Sequence, residues 1–199
     1  MGLEKTLGIA GEALLDFDHR VHELCKPYVD TPPIKALDLF SKLGDQPELR
    51  TISAVLIAVG TLTRNDRLVR AGARMIIAHE AATFAKDRMK TEIDRTRPRS
   101  AKGRAQKKPK KGGHTAKEMT SFPSGHSAGA VAAARAFSRE YPEYGAAALG
   151  AAVLIALSQI PRCAHYPTDV AAGLVLGLGS EALVNVAWKA AGMDERSVA

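Results

Sequence analysis

Apolar residues recur every three to four positions along much of the chain, which is the spacing of helices rather than of strands. Residues 3–26 show this pattern most regularly, and an amphipathic helix would place these side chains on one face: Leu3, Leu7, Ala10, Leu14, Phe17, Val21 and Leu24. A shorter helix is predicted over residues 34–43, ended by Gly44, a usual helix terminator. The first part of the chain therefore predicts an all-α fold.

The following segments are more apolar and also helical in pattern. They are residues 51–63, 71–85, 128–137, 144–160 and 170–188, with a charged turn predicted at 64–70. Residues 144–160 carry no charge, and 170–188 carry only Glu181. We therefore expect a single domain over residues 1–199, a bundle of about six helices.

The last two apolar segments approach the roughly 20 residues that a membrane-spanning helix needs. Gly173 and Gly177 lie four residues apart, a spacing that lets helices approach closely in lipid. These features favour a multi-pass membrane protein. The same spacing also serves a soluble helical core, and the mean hydropathy of −0.10 is low, so a soluble form remains the alternative.

The net charge of +7 comes from one segment, because the rest of the chain is close to neutral. Residues 99–117 contain no acidic residue and eight basic ones: Arg99, Lys102, Arg104, Lys107, Lys108, Lys110, Lys111 and Lys117. This composition predicts a flexible insert. It could be a solvated loop, or it could hold anionic lipid head groups. Nucleic acid is the least favoured partner, because no aromatic residues accompany the charge.

Three polar segments that interrupt the helices carry the candidate chemistry. In the first segment, Lys90 is followed after six residues by Arg97 and Pro98. The second segment is Pro-Ser-Gly-His at 123–126. In the third, His165 precedes Asp169 by four residues, about one helical turn. A helix capped by a serine such as that at position 124 offers unpaired N–H groups to an anion. Cations bind phosphate oxygens, and two histidines can attack phosphorus and protonate a leaving group. Together these residues suit phosphoryl transfer.

These segments resemble the three-part signature of the type 2 phosphatidic acid phosphatase family, which includes vanadium haloperoxidases and bacterial acid phosphatases. Lys-x6-Arg-Pro and Pro-Ser-Gly-His match in full, and Ser-Arg-x5-His-x3-Asp matches in spacing through Ser158, His165 and Asp169. Residues 18–45 are also similar to the segment that precedes the motifs in membrane members. The resemblance implies an all-α bundle with the three motifs clustered at one end.

The resemblance also implies roles for individual residues. His165 would be the nucleophile that forms a phosphohistidine, Asp169 would orient it, and His126 would be the general acid. The implied phosphate-binding residues are Lys90, Arg97, Ser124 and Gly125. No metal or cofactor is expected. The implied activity is hydrolysis of a lipid phosphomonoester or pyrophosphate at the cell (inner) membrane, and the motifs do not select the lipid.

One position departs from the signature, because Gln159 stands where the family has arginine. Glutamine carries no charge, so it stabilises a phosphoryl transition state less well. Arg162 could supply the missing charge from three residues further on. Two alternatives stay open: a non-catalytic protein that binds lipid phosphates, and a vanadate-dependent haloperoxidase, although those enzymes are usually much longer.

Overall fold

The protein is all-α. A computed structural model describes residues 2–100, 109–114 and 116–194. Within this part of the chain, seven α-helices are formed: α1 (Gly2–Cys25), α2 (Pro32–Ser41), α3 (Gln46–Leu62), α4 (Asp66–Glu92), α5 (Gly125–Glu140), α6 (Gly145–Ser158) and α7 (Pro167–Ala190). Two short antiparallel strands, β1 (Ile93–Asp94) and β2 (Lys110–Lys111), pair beyond the end of α4.

Helix α5 is the centre of the bundle and packs against α4, α6 and α7. Ten of its residues are buried, and all of these except Val131 are alanine, glycine or serine. Small side chains let three neighbouring helices approach the α5 backbone closely. The core around α5 adds larger side chains from neighbouring helices, including Leu49 of α3, Met75 of α4 and Ile155 of α6.

Two glycines of α7 allow its close approach to α5. A Cβ atom at Gly173 would lie 2.5 Å from the backbone oxygen of Ser124, and one at Gly177 would overlap the backbone oxygen of Ala128. The close-packing spacing predicted from the sequence is therefore confirmed. It holds the start of α7 directly against the start of α5.

The seven helices agree with the expected bundle of about six, but the predicted turn at residues 64–70 is wrong beyond its first residues. Asn65 caps α4 by accepting a hydrogen bond from the backbone of Leu68 (3.0 Å), so the helix begins at Asp66. Two of the charges that suggested a turn, Arg67 and Arg70, have partners outside α4. Arg70, for example, pairs with Glu140 of α5 at 3.0 Å.

Among the described residues, one helix is long and apolar enough to cross a membrane, namely α7, and 28% of its most apolar window is buried. Helix α6 is apolar but has only 14 residues. The charge of Glu181 in α7 is paired with Arg139 of α5 at 2.9 Å. The multi-pass arrangement stays a prediction.

Large apolar side chains are exposed along stripes of several helices. On α3 the stripe consists of Ile52, Val55, Val59 and Leu62. On α7 it consists of Val175, Leu178, Leu183 and Val186. Each stripe follows helical spacing, so each helix presents a continuous apolar face away from the core.

Part of the basic insert takes a defined place. Lys110 and Lys111 form β2 and pair with Asp94 and Ile93 of β1. The flexibility predicted for the central basic residues concerns Lys102, Arg104, Lys107 and Lys108, which lie outside the described residues. Both described flanks of the insert, at Arg99 and Lys117, line the cavity described next.

Candidate active site

The three motifs meet at one end of the bundle, where α4 ends and α5 and α7 begin. They surround a cavity of about 660 Å³. Its walls include six of the eight predicted site residues: Lys90, Arg97, Gly125, His126, Arg162 and His165. Residues scattered over 75 positions of the sequence are thus brought into one pocket. The other two, Ser124 and Asp169, lie beneath its surface and are fully buried.

His165 lies in the loop between α6 and α7 and is only 2% exposed. The Arg97 guanidinium lies 3.2 Å from Nε2 of the His165 ring. Arginine can only donate hydrogen bonds, so Nε2 accepts and the ring proton resides on Nδ1. Burial is the main cause that lowers the pKa of His165 to about 4, with Arg97 adding to it. The imidazole is therefore neutral near pH 7 and carries a lone pair at Nε2, as a nucleophile requires.

Asp169 lies on the opposite side of the His165 ring, with 3.7 Å between Nδ1 and the carboxylate oxygen Oδ2. This distance exceeds that of a hydrogen bond, but it places a negative charge beside any positive charge formed on the ring. The carboxylate is held firmly by other donors: the Ser121 hydroxyl (2.6 Å), the Tyr166 backbone N–H (3.0 Å) and the Arg95 guanidinium (2.5 Å). Asp169 is thus a fixed partner for His165.

Behind Asp169 lies a buried charge network that the sequence analysis missed. Arg95 bridges Asp169 and Asp18 of α1, at 2.5 and 2.6 Å, and its guanidinium stacks over the Tyr166 ring at 4.2 Å. Asp18 also accepts the backbone N–H of Thr168 at the start of α7 (3.0 Å). Arg95, Asp18 and Asp169 are each 1% exposed or less. No local spacing indicates this network, because Asp18 and Arg95 are 77 residues apart.

His126 opens α5 on the other side of the cavity, and its Nε2 lies 2.7 Å from a carboxylate oxygen of Asp45. Burial lowers the pKa of His126, the Asp45 charge opposes that shift, and the cations of the cavity reinforce it. Asp45 is a second residue that the sequence analysis did not assign to the site, although it ended the segment resembling the family. It gives His126 a partner that stabilises the protonated ring.

The cavity is rich in cations. Lys90 donates from Nζ to the backbone oxygen of Thr120 (2.9 Å), and Arg97 donates from Nε to that of Lys117 (2.8 Å). Burial, followed by the neighbouring charges of Arg97 and Lys86, lowers the pKa of Lys90 to about 7. Lys86, one helical turn before Lys90, was not predicted and also lines the cavity. Crowded cations of this kind favour the binding of an anion.

The Pro-Ser-Gly-His segment forms the start of α5 as predicted, with the helix beginning at Gly125 and Ser124 as its N-cap. The Ser124 hydroxyl accepts from the backbone N–H of Ser127 (3.4 Å) and from its hydroxyl (2.8 Å). The Ser124 backbone N–H donates to the backbone oxygen of Asp169 (3.0 Å). Ser124 thus fastens the second motif to the third, while Gly125 faces the cavity.

Gln159 lines the cavity, but both ends of its side-chain amide are engaged by other groups of the protein. Its amide nitrogen donates to the backbone oxygen of Ile155 (3.2 Å), and its amide oxygen accepts from Arg162 (3.1 Å). The Arg162 guanidinium also contacts the Ser41 hydroxyl and the Asp38 carboxylate of α2. Gln159 therefore helps to hold Arg162 in the cavity wall.

An all-α bundle that presents two carboxylate-partnered histidines and several cations in one cavity is a specific combination of fold and site. The family model of the PAP2 superfamily matches residues 68–192, and the chain belongs to this superfamily. The match includes all three motifs. Residues Asp18 and Asp45 lie before it, although both contact motif residues.

Curated relatives match over shorter segments. The chain is 37% identical over 81 residues to a lipid A 1-phosphatase of Rhizobium johnstonii, which is 41% of this chain and 32% of that protein. It is 43% identical over 65 residues to a lipid A 1-phosphatase of Rhizobium etli, which is 33% of this chain and 27% of that protein. The matched segments thus span about a third or less of these relatives.

The fold is also that of a solved structure, the first transmembrane PAP2-type phosphatidylglycerolphosphate phosphatase from Bacillus subtilis. The TM-score is 0.63, with 94% of this chain and 88% of that chain covered. The sequence identity is 18%, so this likeness concerns the fold. The all-α bundle expected from the motif resemblance is confirmed.

Proposed function

We propose that this protein is a membrane-associated phosphatase that hydrolyses a lipid phosphomonoester or diphosphate through a phosphohistidine, without a metal. The observation that carries the proposal is the geometry around His165: Nε2 lies 3.2 Å from the Arg97 guanidinium, and the Asp169 carboxylate lies 3.7 Å from Nδ1. Membership of the PAP2 superfamily and the lipid A 1-phosphatase relatives support the same activity.

In the first step, Nε2 of His165 attacks the phosphorus, and the bond from phosphorus to the leaving oxygen breaks. The leaving oxygen takes a proton from His126, and the ring of His165 becomes positively charged. Asp169 stabilises that charge, while Lys90 and Arg97 bind the phosphoryl oxygens. Pre-arranged charges of this kind act strongly here because His165 and Asp169 are both buried.

In the second step, water attacks the phosphohistidine, and His126 now accepts the proton from that water. The nitrogen–phosphorus bond breaks, which releases inorganic phosphate and restores neutral His165. His126 thus alternates between acid and base, and its 2.7 Å contact with Asp45 supports the protonated form.

Arg162 would take the place of the family arginine at Gln159. It lies in the cavity wall, is held by Gln159 at 3.1 Å, and is near enough to Arg97 and His126 to lower the pKa of each. A guanidinium can bind two phosphoryl oxygens at once. This placement favours a working enzyme over a protein that only binds lipid phosphates.

The lipid nature of the substrate is supported by the surface of the bundle. Apolar stripes are exposed on α3 and α7, and α7 is long enough to span a bilayer. The catalytic cavity lies at the N-terminal end of α7, where a head group at the membrane surface would meet it.

The test is phosphate release by the detergent-solubilised protein with EDTA present, over phosphatidic acid, phosphatidylglycerophosphate, lipid A and a polyprenyl diphosphate. We expect release that vanadate inhibits and that His165→Ala abolishes, while His19→Ala on α1 keeps it. A phosphohistidine should be trapped by rapid denaturation of the wild type and of His19→Ala, but not of His165→Ala. Arg162→Gln should lower kcat at least about tenfold, because one charge-assisted contact is lost.

Retained activity in the purified His165→Ala protein would exclude the nucleophile. Binding of the lipids without release by the wild type would favour the non-catalytic alternative. Vanadate-dependent oxidation of halide would instead indicate a haloperoxidase.

A further inference from the structure

A second cavity, of about 410 Å³, adjoins the catalytic one. The two cavities share four lining residues, and all four are basic: Lys86, Lys90, Arg97 and Lys117. Because these side chains form a common wall, an anion in the second cavity would lie next to a phosphate bound at His165. The three family motifs supply only two of the four.

The charge of the second cavity is unbalanced. Among the described residues that line it, Asp87 is the single acidic one, and it pairs with Lys86 at 2.9 Å. The pKa of Lys90 is lowered to about 7, in part by the charges of Arg97 and Lys86. One phosphate group brings at most two negative charges. The shared wall can therefore accept a second anionic group beside the first.

The far wall of the second cavity is fixed by the C-terminal part of the basic insert. Asp94 is 1% exposed and accepts hydrogen bonds from the backbone N–H of His114 (2.9 Å) and from its ring Nδ1. Gly112 packs so closely on Asp94 that a side chain there would overlap the carboxylate. The His114 ring is thus held in the cavity wall. Lys117 is held through its backbone oxygen by Arg97.

We propose that the second cavity is an anion subsite, formed by Lys86, Lys117 and His114, for the phosphate group adjoining the one that reacts. The substrate class is then a lipid diphosphate, a refinement that rests on the proposed function. The terminal phosphorus is transferred to Nε2 of His165, and the bond from it to the bridging oxygen breaks. That oxygen takes the proton of His126 and leaves with the lipid monophosphate. Water then releases the terminal group as inorganic phosphate.

The test compares two substrates with one tail, farnesyl monophosphate and farnesyl diphosphate, in detergent micelles. The measured quantity is the ratio of kcat/KM for the diphosphate to that for the monophosphate. We expect the wild type to favour the diphosphate and Lys117→Met to lower the ratio about tenfold or more, because a charge-assisted contact to the second phosphate is lost. The matched control is Lys110→Met, an exposed lysine of the same basic insert that lines neither cavity.

An equal ratio in the two variants, or an equal loss for both substrates, would overturn the subsite. Titration calorimetry with non-hydrolysable ligands measures binding to the subsite directly. It therefore tests the subsite even if the wild type releases no phosphate and the proposed function fails. Methylenediphosphonate should bind the wild type more tightly than methylphosphonate, and Lys117→Met should remove most of that difference while Lys110→Met keeps it.

Membrane lipids are the competing source of a second anionic group, and nanodiscs separate the two. With phosphatidylcholine alone or with added phosphatidylglycerol, the diphosphonate preference should be the same. If Lys117→Met changed only the response to phosphatidylglycerol, the cavity would bind bilayer head groups, and the subsite for the substrate would be refuted.

Discussion

Asp18 offers the sharpest test of how the catalytic centre is held, because it reaches that centre from α1, outside the segment matched by the family model. The perturbation is Asp18→Asn. Asparagine keeps the size of the side chain but removes the charge that pairs with Arg95 at 2.6 Å. Arg95 would then retain its ion pair with Asp169, and the backbone N–H of Thr168 would keep a weaker acceptor.

The expected magnitude follows from burial. Asp18 and Arg95 are each 1% exposed, so water cannot replace the lost partner. Breaking a buried ion pair typically costs about 3–5 kcal/mol, and we expect about 3 because Arg95 keeps one carboxylate. For a chain of this size each kcal/mol shifts Tm by roughly 2–4 °C. Asp18→Asn should therefore lower Tm by about 6–12 °C.

The assay is thermal unfolding in detergent followed by the fluorescence of Trp188, the single tryptophan, together with kcat measured well below both unfolding midpoints. Asp16→Asn is the matched control, since Asp16 lies on the same helix and is exposed. We expect kcat to fall about tenfold in the Asp18 variant, because Asp169 loses its fixed position behind His165. The same Tm and kcat for both variants would refute the view that α1 supports the site.

Three further outcomes follow from the geometry. The pKa of His165 is lowered to about 4 and only the neutral ring attacks, so kcat/KM should fall as the pH drops through about 4. A fall in kcat/KM centred near pH 6.5, the ordinary pKa of histidine, would contradict the lowered pKa. The negative charge of Asp45 raises the pKa of His126, so Asp45→Asn should shift the alkaline limb of the pH profile to lower pH and reduce kcat about tenfold or more. An alkaline limb at the same pH in the variant would show that Asp45 does not set the pKa of His126. Gly173→Ala places a Cβ atom 2.5 Å from a backbone oxygen of the second motif and should lower the free energy of unfolding by about 1–3 kcal/mol, measured by thermal unfolding. Gly179→Ala, with open space around it, should change the stability little, and equal losses of stability in the two variants would argue against close contact of α7 with α5.

The helices could be predicted from the sequence because each is a local pattern. The stripe of α1 and the uncharged run of α6 follow from spacing alone. The start of α4 could not be predicted in this way. Arg70 pairs with Glu140 on another helix, and without that partner a charged segment in the sequence is typical of a turn. The predicted helix therefore began at residue 71 rather than at Asp66.

The candidate site shows the same division. His165 and Asp169 are one turn apart, and the other motif residues follow a recognised spacing, so the sequence alone indicated which side chains form the candidate site. Lys86 lies one turn before Lys90, so helical spacing places the two lysines on the same face of α4. Only the folded chain shows that the cavity lies on that face.

By itself, the sequence determined the all-α class, the small-residue faces that let α5 and α7 touch, and the motif residues proposed to react, because all of these depend on residues within a few helical turns. Only the tertiary structure decided what holds and tunes those groups. Arg95 meets Asp18 across 77 residues, His126 meets Asp45, and Gln159 fastens Arg162 instead of acting in its place. Such pairs arise because burial removes water, so each charge must find a partner wherever the packed helices bring one.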